Sequence, residues 1–455
     1  MKAIKNILRV SFSNILSFGT GFLMNFILPI VLSVVDYGNY RLYAYYVTFS
    51  YLLSLGFHDG IYIKYGGKTK EDLDMHAVQQ EHQFILVFQT LVALFLFAIG
   101  MMQKNKILVY FALASAVKNV MTYHENFIQA IGQFKLFSRV NSFKAVFNII
   151  LLLFAFFIFK WDHYEAYIII HFLTLMVALF IYECVFLSRF GFSKKIDIYS
   201  QLTILQTGFF ILIANMAMTF VGNVGGWVIN LNHNVVDFAY YSFQNSVLNV
   251  VLLIVNAVSL VFYNLIAKDM KMHTLKKLKE TIVYLGIFSG LAFFIMKWLI
   301  ASFISKYIPA IELLAMTFIA IPYIMLSKIL IMNLYKTKRS DKKYFKDSII
   351  CAALSFAFVY VISLLSNELI FIAFGTTICY IVWTLYTCYV EFEYLRFSLA
   401  EIILLVTHFL IFYLSTLLPG FHLGMIVYVI YLLTIVWLKK DQLMNLYADF
   451  FRNYD

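Results

Sequence analysis

Ser33-Val-Val-Asp-Tyr-Gly-Asn-Tyr40 stands at the turn between the first two hydrophobic runs of the chain. About two hundred residues on, between the seventh and eighth runs, Asn234-Val-Val-Asp-Phe-Ala-Tyr-Tyr241 repeats it. Each copy comes after a long apolar run and opens another that begins rich in tyrosine. The shared Val-Val-Asp-aromatic core is short, so its weight comes from position: six hydrophobic runs separate the copies, and both sit at the same kind of turn. In a membrane chain, a period that long predicts two similar halves facing each other with a site between them.

The composition around the repeat sets the class. Of 455 residues, 62% are hydrophobic, 19% aromatic and only 13% charged, and the mean hydropathy is +0.83. No soluble globular protein has that balance. Apolar runs of bilayer-spanning length recur from end to end, and no hydrophilic stretch is long enough to fold by itself. The first run is too long for a cleaved signal peptide and has no small-residue cleavage pattern. Cys184, Cys351, Cys379 and Cys388 lie in or near apolar runs without CxxC spacing, so they indicate neither a disulfide nor a metal site.

Fourteen spans are predicted, centred roughly on 10–33, 41–62, 83–102, 107–131, 141–159, 164–186, 204–229, 238–266, 281–303, 310–333, 348–366, 369–390, 399–418 and 421–438. With the N-terminus in the cytoplasm, 27 of the 35 basic residues fall in inside segments and six outside, at Arg41, Lys104, Lys106, Lys160, Lys297 and Lys306. That asymmetry places both ends inside and requires an even number of spans. It also accounts for the net charge of +11 without any nucleic-acid partner. The expected fold is an all-α polytopic membrane protein: a six-helix bundle over 1–200, a second over 201–392, and two further helices with a cytoplasmic tail over 393–455. Because six is even, the bundles are parallel repeats.

Charge inside hydrocarbon costs about 2.5–3.5 kcal/mol per residue at mid-span, so the polar residues that remain there are candidates for function. The fourth span is the most polar. At about 100° per residue, Ser115, Lys118, Asn119, Thr122, Glu125, Asn126, Gln129 and Gln133 share an arc of about 120°, with His124 on the other side. Two readings fit the stripe: Lys118 and Glu125 neutralise each other in a packed bundle, or the stripe lines a water-filled cavity. Weaker stripes run through Asn14, Ser17, Gly21 and Asn25; through Arg41, Tyr45, Thr48 and Asp59; through Asn215, Thr219, Gly222, Asn223 and Gly226; and through Ser242, Asn245, Asn249, Asn256 and Ser259. Helix packing uses small and amide residues too. The clustering of stripes in the two repeated hairpins and the fourth span favours a shared cavity. Its candidate substrate-binding residues are Lys118, Arg41, Asn25, Asn119, Thr122, Asn126, Tyr45, Asn215, Asn245 and Asn249, and Glu125 and Asp59 are candidates for ion coupling.

Asp36-Tyr37-Gly38-Asn39-Tyr40, Leu55-Gly56-Phe57-His58-Asp59-Gly60 and Tyr240-Tyr241-Ser242-Phe243, with the 6+6+2 arrangement, resemble the polysaccharide flippases of the MOP superfamily, which serve O-antigen and capsule synthesis. The resemblance implies that a polyprenyl-pyrophosphate-linked (undecaprenyl) oligosaccharide is moved by alternating access from the cytoplasmic to the outer leaflet of a bacterial plasma membrane. Lys118 and Arg41 would meet the diphosphate, and amides and hydroxyls the sugars. It also allows other polysaccharide-assembly membrane proteins as partners. Relatives often carry an acid at the outer end of the seventh span, where this chain has Gly225-Gly226-Trp227, so no role of that acid carries over. No Gly-x-x-x-x-Gly-Lys-Ser/Thr loop is present, so no nucleotide cofactor is expected. A drug/cation antiporter of the same superfamily is the nearest rival, although Lys118 disfavours it. A membrane-embedded glycosyltransferase or polymerase would need acid/base carboxylates in a sizeable outer loop, which is missing. A scaffold for a biosynthetic complex is the remaining alternative.

The topology is testable with alkaline phosphatase, which folds only outside the cytoplasm. Fusions after Lys104 or Lys306 are expected to be active and fusions after Lys195 or Lys342 inactive. The reverse pattern would invert the orientation.

Overall fold

The computed structural model describes residues 19–21, 24–193, 195–268, 271–337 and 341–440. Asn14 and Ser17, and the side chains of Asn256 and Ser259, lie outside the described residues. Among the described residues there is no β-strand. Nine of the described helices are long and apolar enough to cross a membrane, or ten if Ala310–Ile319 and Ile321–Tyr335, bent by 54°, form one span. Four expected spans are not among these. The first runs into undescribed residues, the second is broken, the fourth is too polar, and the eighth is Val235–Lys268.

Close packing divides the chain into two compact units, Met1–Met218 and Thr219–Asp455. The first holds a short helix over 24–31, then α1 (Val34–Phe49), α2 (Phe57–Tyr65), α3 (Met75–Met102), α4 (Lys106–Ala130), α5 (Phe134–Leu153), α6 (Tyr164–Phe190) and most of α7 (Ile198–Val221). In the second are α8 (Val224–Asn232), α9 (Val235–Lys268), α10 (Met272–Phe288), α11 (Leu291–Phe303), α12 (Ala310–Ile319), α13 (Ile321–Met325), α14 (Met332–Thr337), α15 (Asp341–Leu365), α16 (Leu369–Tyr386), α17 (Leu399–Leu417) and α18 (Gly420–Leu438).

Both copies of the repeated octapeptide start helices in the same register. Ser33 caps α1, its Oγ accepting the Asp36 N–H at 3.0 Å. Asn234 precedes α9, its Oδ1 accepting the N–H groups of Val236 and Asp237 at 2.9 and 3.0 Å. A capping side chain with an aspartate in the first turn satisfies otherwise unpaired N–H groups and complements the helix dipole. The shared residues therefore have a local physical role as well as a common place in the chain.

Beyond that start the copies diverge. Helix α9 runs for 34 residues, whereas α1 stops after 16. The chain then forms a 3-10 segment, Ser50–Ser54, passes through Leu55 (φ 50°) and Gly56 (φ 90°), and restarts as α2. Left-handed backbone at Gly56 is cheap for glycine alone. The site is also crowded: a Cβ on Gly208 of α7 would stand 1.9 Å from the Gly56 carbonyl oxygen, so the two backbones touch.

A break inside a span exposes backbone carbonyls that lipid cannot satisfy, so neighbouring side chains must do so. Lys118 Nζ donates to Val47 O (2.6 Å), Asn119 Nδ2 to Ser50 O (3.0 Å), and Gln89 Nε2 to Leu53 O (3.0 Å). Asn119 Nδ2 also donates to Gln89 Oε1 (2.9 Å), which ties two of these donors together. Helices α3 and α4 thus hold the break of the second span.

In the second unit, the two C-terminal helices are anchored by buried polar contacts. Lys279 of α10, 2% exposed, donates to Glu401 Oε2 (2.8 Å) and to the carbonyls of Arg396 (3.0 Å) and Leu395 (3.2 Å). Glu401 also closes a capping box with Ser398 at the start of α17. Tyr428 of α18 donates to Ile287 O at 2.6 Å, amid the rings of Phe293, Phe294 and Phe412.

Asn119→Leu is expected to destabilise the protein. It removes the side-chain donor to the Ser50 carbonyl and strands Oε1 of Gln89, a residue 1% exposed. A lost partner of that kind costs about 1–3 kcal/mol, read as a melting point lowered by several degrees in the purified protein. An unchanged melting point would mean that the break does not depend on this donor.

Candidate functional site

The polar stripe of α4 has a dry edge and a half-open one. Ser115 and Asn119 are buried, while Lys118, Thr122, Glu125, Asn126, Gln129 and Gln133 are half-buried. His124 lies on the far side of the helix, 1% exposed, facing α3 and α6. Along the half-open edge, Thr122 returns its hydroxyl to Lys118 O (2.8 Å) and Asn126 Nδ2 donates to the Tyr51 hydroxyl (3.4 Å). Tyr51, inside the break, also stands beside Asp59.

Lys118 and Glu125 are not each other's hydrogen-bonded partners. Lys118 is held by the Val47 carbonyl, and Glu125 Oε1 accepts from Lys144 Nζ of α5 at 3.1 Å. Arg41 Nη1 donates to Asn25 Oδ1 at 3.3 Å, so these two candidates meet across consecutive helices. The first unit thus holds Lys118 on a carbonyl of the break, Glu125 on Lys144, and Arg41 on Asn25.

The face expected to join Arg41, Tyr45, Thr48 and Asp59 does not exist as a continuous stripe. The break at 50–56 resets the helical phase, so Asp59 belongs to α2 and to the Tyr51 network. Tyr45 is 9% exposed and packs on Phe49 with ring centroids 5.5 Å apart. Asn215, on α7, is exposed.

In the second unit, Asn245 accepts from Gln244 Nε2 at 2.9 Å and lies near Tyr241. Gln244 Oε1 accepts in turn from Thr317 at 2.8 Å. Asn249, one turn further along α9, is exposed. The glycine found where relatives often carry an acid has a steric cause. A Cβ on Gly225 would stand 2.1 Å from the Tyr241 hydroxyl, so a side chain there would displace that buried tyrosine.

Six contributors escaped the sequence. Lys144 counted only as an inside-loop charge, although its place within an apolar stretch was a usable signal. Tyr51 and Gln89 carry no signal apart from the break they serve. His82, His124 and Glu183 come from three helices with no common spacing, yet their ligating atoms converge.

No protein-family model matches the chain, and no curated protein sequence matches it. Solved structures do. One is the lipid II flippase MurJ in an inward closed conformation, with TM-score 0.69 and 14% identity over 97% of this chain and 100% of that one. A second is an inward-facing multidrug resistance MATE family transporter of the MOP superfamily, with TM-score 0.58 and 13% identity over 84% and 98% of the two chains. An outward-facing MATE transporter of the same superfamily matches with TM-score 0.51 and 14% identity over 89% and 96%. The MOP architecture implied by the first-hairpin motifs is thus the architecture observed, across nearly the whole length. The chain is a multi-pass, all-helical membrane protein with the fold of MOP-superfamily transporters and flippases.

Proposed function

We propose that this protein flips a polyprenyl-diphosphate-linked oligosaccharide from the cytoplasmic to the outer leaflet of a bacterial plasma membrane by alternating access, for cell-surface polysaccharide synthesis. The observation that carries the proposal is the half-buried stripe of α4. It presents one cation, Lys118, beside a second, Lys144, with Arg41 on the neighbouring α1. A diphosphate headgroup cannot cross hydrocarbon unaided, and cations that keep free donors after binding protein acceptors supply it with charge-assisted hydrogen bonds. Lys118 spends one of its three N–H bonds on Val47 O. The amides of Asn126 and Gln129 offer hydrogen bonds to sugar hydroxyls, and the lipid chains stay in the bilayer.

The solved flippase with this fold acts on lipid II by its name, and the MATE relatives are described as multidrug transporters. The lysine stripe favours an anionic substrate over a cationic drug. In the first unit Glu125, which would otherwise attract a cation, is already paired with Lys144. Ion coupling then falls to Asp59, or to Glu125 in a state where Lys144 releases it.

The test is transport in proteoliposomes. Labelled polyprenyl-diphosphate glycan placed on one leaflet should equilibrate faster with the protein than without it, its mass unchanged. Arg41→Ala and Lys118→Ala should each slow the exchange by about tenfold or more, with Lys118→Arg retaining most of the rate. Cells lacking the protein should accumulate the glycolipid on the cytoplasmic side. Efflux of organic cations with no glycolipid movement would establish the antiporter instead, and a change in glycolipid mass would establish an enzyme.

A further inference from the structure

Away from the stripe, on the opposite side of α4, three side chains from three helices aim their ligating atoms at one point. His82 of α3 and His124 of α4 are each 1% exposed, and the Glu183 side chain of α6 is 20% exposed. His82 Nε2 lies 3.0 Å from both carboxylate oxygens, and His124 Nε2 lies 2.9 Å from Oε1. All three ligand atoms fall within 4.8 Å of one another. We infer that His82, His124 and Glu183 form a binding site for one divalent transition-metal ion of the Zn2+ type, tying α3, α4 and α6 together inside the first unit.

The donor set fits. Two imidazole nitrogens and a carboxylate oxygen suit Zn2+ better than Mg2+ or Ca2+, which prefer all-oxygen shells. Zn–N and Zn–O bonds of about 2.0–2.2 Å in a tetrahedron put neighbouring ligand atoms about 3.3 Å apart. The distances of 2.9 and 3.0 Å therefore need to open by only a few tenths of an ångström to admit the ion. Both imidazoles approach through Nε2, which leaves both Nδ1 atoms buried without a hydrogen-bond partner. The hydroxyls of Tyr123 and Tyr182 are buried and unpartnered as well, with ring centroids 5.3 and 5.8 Å from that of His124.

A metal ion would take each Nε2 as its ligand and leave Nδ1 carrying the N–H. A water in the fourth coordination position, which three protein ligands leave open, would complete the tetrahedron. A small cavity of about 10 Å³ is lined by His124, Tyr182 and Phe186, with Gln133 and Arg189 among its other lining residues. Phe186 packs against both imidazoles, with centroids 4.2 and 5.3 Å away, and fixes their planes. None of the three ligands belongs to the substrate stripe, so this site stands or falls separately from the transport activity.

The measurement is metal binding to the purified full-length protein in detergent after chelator treatment. Zn2+ titrated by calorimetry, with metal content read by mass spectrometry, should saturate near one ion per chain and raise the melting point. His82→Gln, His124→Gln and Glu183→Gln should each weaken binding at least tenfold, and His163→Gln, at a surface loop, should not. A readout that needs no variant is Co2+ substitution: the wild-type protein should give the intense visible absorption of four-coordinate Co2+. No saturable Zn2+ uptake, uptake unchanged in the triple variant, or only the weak spectrum of six-coordinate Co2+ would each overturn the site and leave a hydrogen-bonded clamp.

Discussion

Lipid offers no hydrogen bonds, and the interrupted second span is where this chain meets that constraint most sharply. A continuous helix satisfies its own carbonyls. Between Ser50 and Gly56 the helix is given up, and Lys118, Asn119 and Gln89 reach in from two neighbours to take the carbonyls of Val47, Ser50 and Leu53. Placing a lysine at such a depth is costly unless it is both paired and near water. The break gives Lys118 a partner, and the half-open edge of α4 gives it access. The same interruption delivers Tyr51 to Asp59 and Asn126, so the most polar patch of the first unit is a consequence of a broken helix.

The spans themselves are plain in the sequence, because a long apolar run leaves little choice of structure in a membrane. Periodicity also puts the right residues on one face of α4, with His124 opposite, since that helix is continuous and regular. The stripe expected through Arg41 and Asp59 fails for the complementary reason. Helical periodicity assumes an unbroken helix, and the left-handed backbone at Leu55 and Gly56 ends it. Spacing along α4 sets Glu125 against Lys118, whereas Lys144 on α5 takes it; contacts between helices leave no trace in spacing along one of them. The convergence of His82, His124 and Glu183 is hidden for the same reason.

The repeated octapeptide, in the sequence a mark of two similar halves, is in the structure a pair of matching helix starts. Its capping Ser33 and Asn234, and the acids three residues later, do the same work at α1 and α9. Past the caps the two helices part ways: one breaks and gathers charge, the other runs on and carries neutral amides beside Tyr241. The small residue at Gly225 belongs to that second arrangement, because Tyr241 occupies the space an acidic side chain would need. The charged stripe thus belongs to the first unit, and α9 carries hydrogen-bonding amides where the second copy runs on.

The most direct test of that account is whether the α4 stripe is wet in the membrane. With the native cysteines removed, Thr122→Cys and Asn126→Cys should react with a charged, lipid-insoluble thiol reagent in intact vesicles, Leu94→Cys should not, and added polyprenyl-diphosphate glycan should slow the reaction. Cysteines at 122 and 126 that react only after unfolding would show a dry helix seam and contradict it.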